Sequence, residues 1–384
     1  MNHFSFSSPT EIIFGRGTET QLGQQAKKYG TRALLVYGGG SIKKTGLYDK
    51  VVSSLQAAQM EFCELGGVQP NPRLSLVREG IVLCQKNGLD IVLAVGGGSA
   101  IDTAKAIAMG VAEGGDVWDF YIGKRVAEKA LPVGVLLTIP AAGSEASVGS
   151  VITNEDGWLK RPCDNPILRP KFALMNPELT YTLPSYQTAC GAADILAHML
   201  ERYFTNVPHV DLTDRMLEGA ISNILEYAPL ALAEPENYDY RAEIMLTGYV
   251  AHNNSLDMGR IGDWASHNIE HELSAIYDIA HGAGLAIVFP AWMKYVYQVN
   301  IDKFVQLFTR VFGVSMNLND KELIVREGIA RLEAWFRRMG LPTRLSEAGI
   351  PADRIDEMAE KAHQVGNFKV LNREDIAQVL TLAL

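Results

Sequence analysis

Ile91-Val-Leu-Ala-Val-Gly96-Gly97-Gly98-Ser99-Ala-Ile-Asp102-Thr-Ala-Lys105 is the stretch from which the fold is read. Five consecutive apolar residues closed by glycines predict a strand buried on both faces, as in a parallel sheet. The glycines that follow let the backbone approach a ligand closely. A helix starting behind them offers free N–H groups and the positive end of its dipole to a phosphate. The same order recurs in Ala33-Leu-Leu-Val-Tyr37 followed by Gly38-Gly39-Gly40-Ser41. A third apolar run, Val133 to Ile139, leads into the polar turn Thr138-Ile-Pro-Ala-Ala-Gly143-Ser144-Glu145. Alternation of such runs with amphipathic stretches predicts an N-terminal α/β dinucleotide-binding domain with a parallel, Rossmann-like sheet over 1–182.

Working outward, Gly96–Ser99 departs from the usual G-x-G-x-x-G fingerprint. Ser99-x-x-Asp102 also fits a variant of the capping box, which would imply no ligand. Gly38–Ser41 is expected at the neighbouring strand end, where the adenosine ribose belongs. An acidic residue there would grip the ribose 2′-OH; instead the chain offers Ser41, Lys43 and Lys44, which favours NADP(H) over NAD(H). The competing reading makes the two lysines solvated residues of a helix start. Val148 to Thr153 with Glu155-Asp-Gly157 predicts a hairpin carrying Lys160 on its return strand. Lys160 matters only if it faces a ligand cleft.

From about Ser185 the period changes to that of helices, predicting an all-helical domain over 183–384. Helices are expected over 211–228, 240–258, 264–276, 281–299, 301–313, 320–340 and 352–365. Pro208, Pro229, Pro235, Pro290, Pro342 and Pro351 read as helix boundaries or first-turn residues. No Gly/Ser linker separates the halves, so a compact join with a ligand cleft is expected.

The helical half carries a second constellation. Asp194 and His198 stand four apart in an Ala/Leu-rich run, which puts carboxylate and imidazole on one helix face. His267 and His281 supply two more nitrogens, and four of the eight histidines fall between 252 and 281. One carboxylate with three imidazoles suits Fe(II) or Zn(II). Each residue alone also reads as a core histidine or a paired aspartate. His271, four after His267, reads as a neighbour contacting cofactor or substrate rather than as a fifth ligand. His252 takes no role. His267-Asn-Ile-Glu270-His271 spells the inverted zinc-peptidase signature, with Glu270 as general base. That hydrolase reading leaves Asp194, His198 and both glycine triplets without a purpose.

An apolar share of 47% with 21% charged residues describes an ordinary globular chain. A net charge of −9 without a Lys/Arg run argues against nucleic acid. Cys63, Cys84, Cys163 and Cys190 lack paired short spacings and read as free thiols of a reducing compartment. With no signal-peptide core and no membrane-length apolar window, a cytoplasmic enzyme is expected.

These residues resemble the iron-activated (group III) alcohol dehydrogenases, in particular the butanol-dehydrogenase-like, aldehyde-reducing branch. The resemblance runs almost end to end, through Gly96–Asp102, the Thr138–Glu145 turn, Asp194-x-x-x-His198 and the His267…His271…His281-Gly block. It implies hydride transfer between NAD(P)H and short- to medium-chain aldehydes, and a homodimer. Asp194, His198, His267 and His281 are the implied metal ligands. Gly38, Gly39, Ser41, Asn71, Gly97, Gly98, Ser99, Asp102, Thr138, Ser144 and Lys160 are the implied dinucleotide contacts. The polarised substrate oxygen would exchange its proton through His271 or a water. Two departures stand out: Asn176 replaces the family's usual Asp, and Ala142 replaces a frequent Thr. A glycerol-dehydrogenase- or dehydroquinate-synthase-like activity on a related fold is the main alternative.

Overall fold

The computed structural model of the chain describes residues 1–317 and 319–384. Its contacts divide it into two compact units: Ser7–Leu183 with Glu236–Met245, and Met1–Phe6 with Pro184–Pro235 and Leu246–Leu384.

In the first unit, β1 (Glu11–Phe14), β2 (Arg32–Tyr37), β3 (Glu61–Leu65), β4 (Ile91–Gly96), β5 (Val133–Leu137) and β8 (Phe172–Met175) form one parallel sheet. Its strand order is β1-β8-β5-β4-β2-β3. β6 (Gly149–Asn154) and β7 (Leu159–Asp164) make a separate antiparallel hairpin, as the sequence predicts. The central strands are buried along nearly their whole length, which is what their unbroken Val/Leu/Ile runs require. Leu35, Val51, Leu55, Leu93 and Phe172 belong to the core on one face.

Chain direction reverses its lateral progress between β2 and β4: β3 lies to one side, β5 and β8 to the other. Such a switch point is where open α/β sheets bind ligands, outside the carboxyl ends of the strands. The register pairs Tyr37 with Val95 and Gly96 with Leu137. The turns beginning at Gly38, Gly97 and Thr138 therefore leave one edge of the sheet at the same level.

The second unit is helical. Helices Ser185–Tyr203, Asp211–Ala233, Ala265–Tyr277, His281–Val296, Ile301–Arg310 and Lys321–Arg338 carry most of it. The Phe204 ring packs at 5.1 Å from Trp292 and 4.4 Å from Phe304, centroid to centroid, in its core. Two prolines depart from the expected boundaries: Pro229 lies inside Asp211–Ala233 and Pro290 inside His281–Val296. A mid-helix proline deprives the carbonyl four residues earlier of its donor, at roughly 3 kcal/mol. For Pro229 that carbonyl is Leu225, which accepts instead from the Trp335 indole N–H at 3.0 Å. Tertiary packing has replaced the bond that the proline removes. No helix among the described residues is long and apolar enough to cross a membrane.

Candidate active site

The helical unit brings Asp194, His198, His267 and His281 together. Asp194 and His198 lie on one face of Ser185–Tyr203; His267 is in the first turn of Ala265–Tyr277 and His281 begins His281–Val296. Asp194 Oδ1 stands 3.8 Å from His267 Nε2 and 3.7 Å from His281 Nε2. Ligand atoms sharing a tetrahedral ion at ordinary bond lengths would be about 3.4 Å apart. Both distances from Asp194 therefore stand within a few tenths of an ångström of that spacing. Their ligand atoms all lie within 4.8 Å of one another. His198 packs beside them, its ring 4.5 Å from that of His267, but its Nδ1 bonds the Asp194 carbonyl at 2.8 Å and it is not part of the tight triplet.

Close helix approach is a precondition. A Cβ on Gly282 would lie 1.9 Å from the Cys190 carbonyl oxygen, one turn before Asp194. A Cβ on Gly284 would lie 2.5 Å from Glu270 Oε1. The glycines after His281 thus let this helix reach both neighbours.

Two carboxylates orient the imidazoles: Glu201, which sequence reasoning did not single out, and Glu270, which it named only as the general base of the peptidase reading. Glu201 is fully buried and accepts from His267 Nδ1 and from His267 main-chain N, each at 2.9 Å, and from Trp264 N at 2.6 Å. It thereby caps the helix that carries His267, with its charge at the positive dipole end. Trp264, just before that helix, sits at φ +67°, an uncommon conformation for a tryptophan. Glu270, also fully buried, takes the His281 Nδ1 and the Ser274 hydroxyl in short bonds. Each carboxylate pins Nδ1 and leaves Nε2 facing Asp194. Their signal was present: Glu201 follows His198 by three residues, and Glu270 belongs to the apparent peptidase motif.

That motif does not assemble. The peptidase reading needs His267 and His271 on one ion, but they fall in different groups: Asp194 with His267 and His281, and Glu270 with His271 and His281. Glu270 is already bonded and sealed from water, so it lacks the freedom of a general base. His271 is buried, its ring 5.6 Å from that of His281. His252, given no role in advance, packs its ring 4.3 Å from His198 and meets the Arg202 guanidinium at 3.1 Å.

Burial alone would raise the Asp194 carboxyl, but the imidazoles around it, His198 and His281 first, hold it well below the usual range by their charge. Burial pushes the His198 ring down. His267, despite burial, is pushed up to about 9 by the Asp194 and Glu201 carboxylates on either side of its ring. Yet Asp194 Oδ1 and His267 Nε2, both buried and 3.8 Å apart, make no well-aligned hydrogen bond among the described residues, the nearest imidazole nitrogen to that carboxylate oxygen being His198 Nδ1 at 3.0 Å. Leaving each such atom unsatisfied costs about 1–3 kcal/mol. A divalent cation would satisfy both, and a carboxylate–imidazole set is the donor chemistry that first-row divalent ions take.

In the α/β unit the glycines expected to cradle a pyrophosphate lead into helix Gly98–Glu113. Its N-cap is Gly97, and no side chain caps it. The capping-box alternative for Ser99 and Asp102 is therefore not what forms. Asp102 turns instead to the Thr138–Glu145 turn and the hairpin: its carboxylate accepts from the Ser144 hydroxyl at 2.6 Å and from Val151 N at 3.0 Å. A Cβ on Gly97 would lie 2.9 Å from Ile139, so the two turns approach closely. Thr138 N bonds the Gly96 carbonyl at 3.0 Å. The Lys160 ammonium is buried against Asn71 Oδ1 at 3.0 Å and does not face bulk solvent.

Lys105, which the sequence reading passed over, is fully buried here. Its ammonium donates to Ser144 Oγ at 3.0 Å, the Ser147 carbonyl at 3.1 Å and the Gly149 carbonyl at 2.8 Å. Asn176 donates to Glu19 Oε2 at 2.9 Å, while its own Oδ1 accepts from Glu178 N at 3.1 Å. An aspartate there would set two carboxylates against each other, so the departure at 176 is matched by Glu19.

Comparison with known proteins was made on this geometry. The family model "Iron-containing alcohol dehydrogenase" matches residues 9–177, and "Fe-containing alcohol dehydrogenase family, C-terminal" matches residues 188–384. A probable NADH-dependent butanol dehydrogenase of Bacillus subtilis is 44% identical over the whole of both chains. The NADPH-dependent aldehyde reductase YqhD of Escherichia coli is 35% identical, covering 98% of this chain and 97% of that protein. The crystal structure of an NADH-dependent butanol dehydrogenase A from Thermotoga maritima superimposes with a TM-score of 0.97 at 42% identity, covering 100% of this chain and 99% of that one.

Proposed function

Because the chain belongs to the iron-containing alcohol dehydrogenase family, we propose that it reduces short- to medium-chain aldehydes with one divalent ion, Fe(II) or Zn(II), held on Asp194, His198, His267 and His281. An alcohol dehydrogenase or aldehyde reductase using NAD(P)H is what its butanol dehydrogenase and aldehyde reductase relatives indicate. The observation that carries the metal assignment is the convergence of Asp194, His267 and His281, whose ligand atoms lie within 4.8 Å of one another, with Asp194 Oδ1 and His267 Nε2 buried and without a well-aligned hydrogen bond among the described residues.

When bound, the dinucleotide supplies the hydride and the ion supplies Lewis acidity at the substrate oxygen. The chain's own residues do the positioning. Glu201 and Glu270 fix the rings of His267 and His281. The helix beginning at Gly98 directs its first N–H groups at the pyrophosphate, and Asp102 holds Ser144 beside that helix. Lys160 and Asn71 bind the dinucleotide as a hydrogen-bonded pair. His271 moves the substrate proton at its ring nitrogen. The four free cysteines support a reducing, cytoplasmic setting, and the working assembly is a homodimer.

Metal analysis of the purified protein, with oxidation of NADH and NADPH measured against butanal, tests this reading. Asp194→Ala and His281→Ala should each lose the ion and roughly a thousandfold or more in turnover. Two active variants, or turnover with glycerol and none with butanal, would overturn it.

A further inference from the structure

Lys43 is one of the two cations on which the expectation of NADP(H) rests, and the structure shows what lies against it. Its ammonium lies 3.6 Å from Glu64 Oε2. It also stands over the rings of Tyr48 at 4.6 Å and Tyr37 at 5.2 Å. Glu64 is near the end of β3, the strand beside β2. Both of its oxygens are held: Tyr37 OH donates to Oε2 at 2.8 Å and Tyr48 OH to Oε1 at 2.5 Å. The segment after it is tied to the first glycine turn, with Gly67 N donating to the Gly38 carbonyl at 3.1 Å and Val68 N to the Tyr37 carbonyl at 3.2 Å. Burial would raise the Glu64 carboxyl, but the two phenols and Lys43 keep it below the usual range, so it is ionised at neutral pH.

Resting on the reading that Gly38–Ser41 receives the adenosine ribose, we propose that Glu64 sets the choice of dinucleotide: by occupying Lys43 it turns this site towards NAD(H) and against the 2′-phosphate of NADP(H). A phosphate dianion needs a cation that is not already neutralised. The carboxylate both cancels Lys43 and repels the phosphate itself, at a range inside the Debye length of about 8 Å at physiological salt. The tyrosines hold the carboxylate in place, so it cannot swing away when a second anion arrives. Lys44, exposed and without a carboxylate partner among the described residues, is the cation that could act in its stead.

Isothermal titration of the metal-loaded, full-length protein with 5′-ADP and with 2′,5′-ADP isolates the one phosphate that differs, without turnover. Glu64→Gln should bind 2′,5′-ADP about five- to tenfold more tightly than the wild type and leave 5′-ADP within about twofold. Adding Lys43→Met to that variant should erase the gain, and Lys43→Met alone should change neither fragment by more than about twofold, because its charge is already cancelled. An unchanged 2′,5′-ADP affinity in Glu64→Gln overturns the proposal. So does a gain that survives Lys43→Met, which would assign the phosphate to Lys44. If neither fragment displaces NADH from the wild-type protein, the placement of the ribose fails instead, and this proposal with it.

Discussion

The two candidate sites handle buried polar groups in opposite ways. In the helical unit, Glu201 and Glu270 are fully satisfied by imidazole, helix-end and hydroxyl donors, yet Asp194 Oδ1 and His267 Nε2 are left over. In the α/β unit, Asp102, Ser144, Lys105 and the Ser147 and Gly149 carbonyls satisfy one another. What stays open there is main chain, at the uncapped start of the Gly98 helix. On the proposed function an ion would complete the first site, whereas the second is already a finished scaffold that would lend N–H groups to the dinucleotide. Damage to the first should therefore act on stability and binding together, and damage to the second should separate them.

The severest test of the comparison is Gly282→Ala. Its new Cβ would meet the Cys190 carbonyl at 1.9 Å, which only a shift of the two helices can relieve. Overpacking of this kind costs about 1–3 kcal/mol or more. Because Asp194 and His281 sit on those same helices, the metal should be lost as well. Thermal unfolding and metal content should fall together, and a variant that unfolds early yet keeps full metal would break the link.

Glu270→Gln comes next. The amide oxygen can still accept from His281, so the fold should survive, but the charge that strengthens the imidazole as a ligand is gone. Loss of such an outer carboxylate weakens metal binding by roughly 10- to 100-fold. Competition with a chelator of known affinity reads this directly. An unchanged affinity would show that Glu270 serves only the packing of Ser274 and Gly284.

Particular residues show why part of this was legible in advance. The runs at 33–37, 91–95 and 133–139 announced a parallel sheet because strands buried on both faces cannot afford polar residues. Asp194 with His198 was legible because helical spacing is local. Glu201 was not, because a carboxylate reads as a surface residue until the fold shows what lies above it, and Glu270 was read in the wrong role, as the base of a peptidase motif. Lys105 was hidden for the same reason: nothing in Asp-Thr-Ala-Lys announces that four acceptor atoms of Ser144, Ser147 and Gly149 close around the ammonium. Lys43 was seen, but as a free cation, since Glu64, Tyr37 and Tyr48 converge only when β2 and β3 pair. Pro229 misled because its orphaned carbonyl finds Trp335 more than a hundred residues away.

A pH measurement probes the finished scaffold. Burial pushes the Glu145 carboxyl up to about 7, with Lys105 as its counter-charge. The folded chain thus holds a proton at Glu145 that the unfolded chain has already released, so stability falls as pH rises from the ordinary glutamate range to about 7. Lys105 is pushed down to about 8 by burial, and its own effect lies above that window. Denaturant midpoints of wild type and Glu145→Gln should converge towards pH 4.5 and diverge towards pH 7, the variant gaining by about one proton's slope. Parallel curves would mean that Glu145 is ionised throughout, paired with Lys105.

The smallest expected effect is also the cleanest separation of scaffold from ligand. Had Ser99 capped its helix, replacing it with alanine would cost about 0.5–2 kcal/mol. Its helix begins instead at Gly98, with Gly97 as N-cap and no side-chain cap. Ser99→Ala should therefore leave the unfolding midpoint within a few tenths of a kcal/mol while weakening NADH binding severalfold, through the hydroxyl lost from the pyrophosphate. Equilibrium unfolding alongside fluorescence titration distinguishes the cases. A variant that loses stability and keeps its dinucleotide affinity would return Ser99 to a structural role and leave the phosphate to the main chain alone.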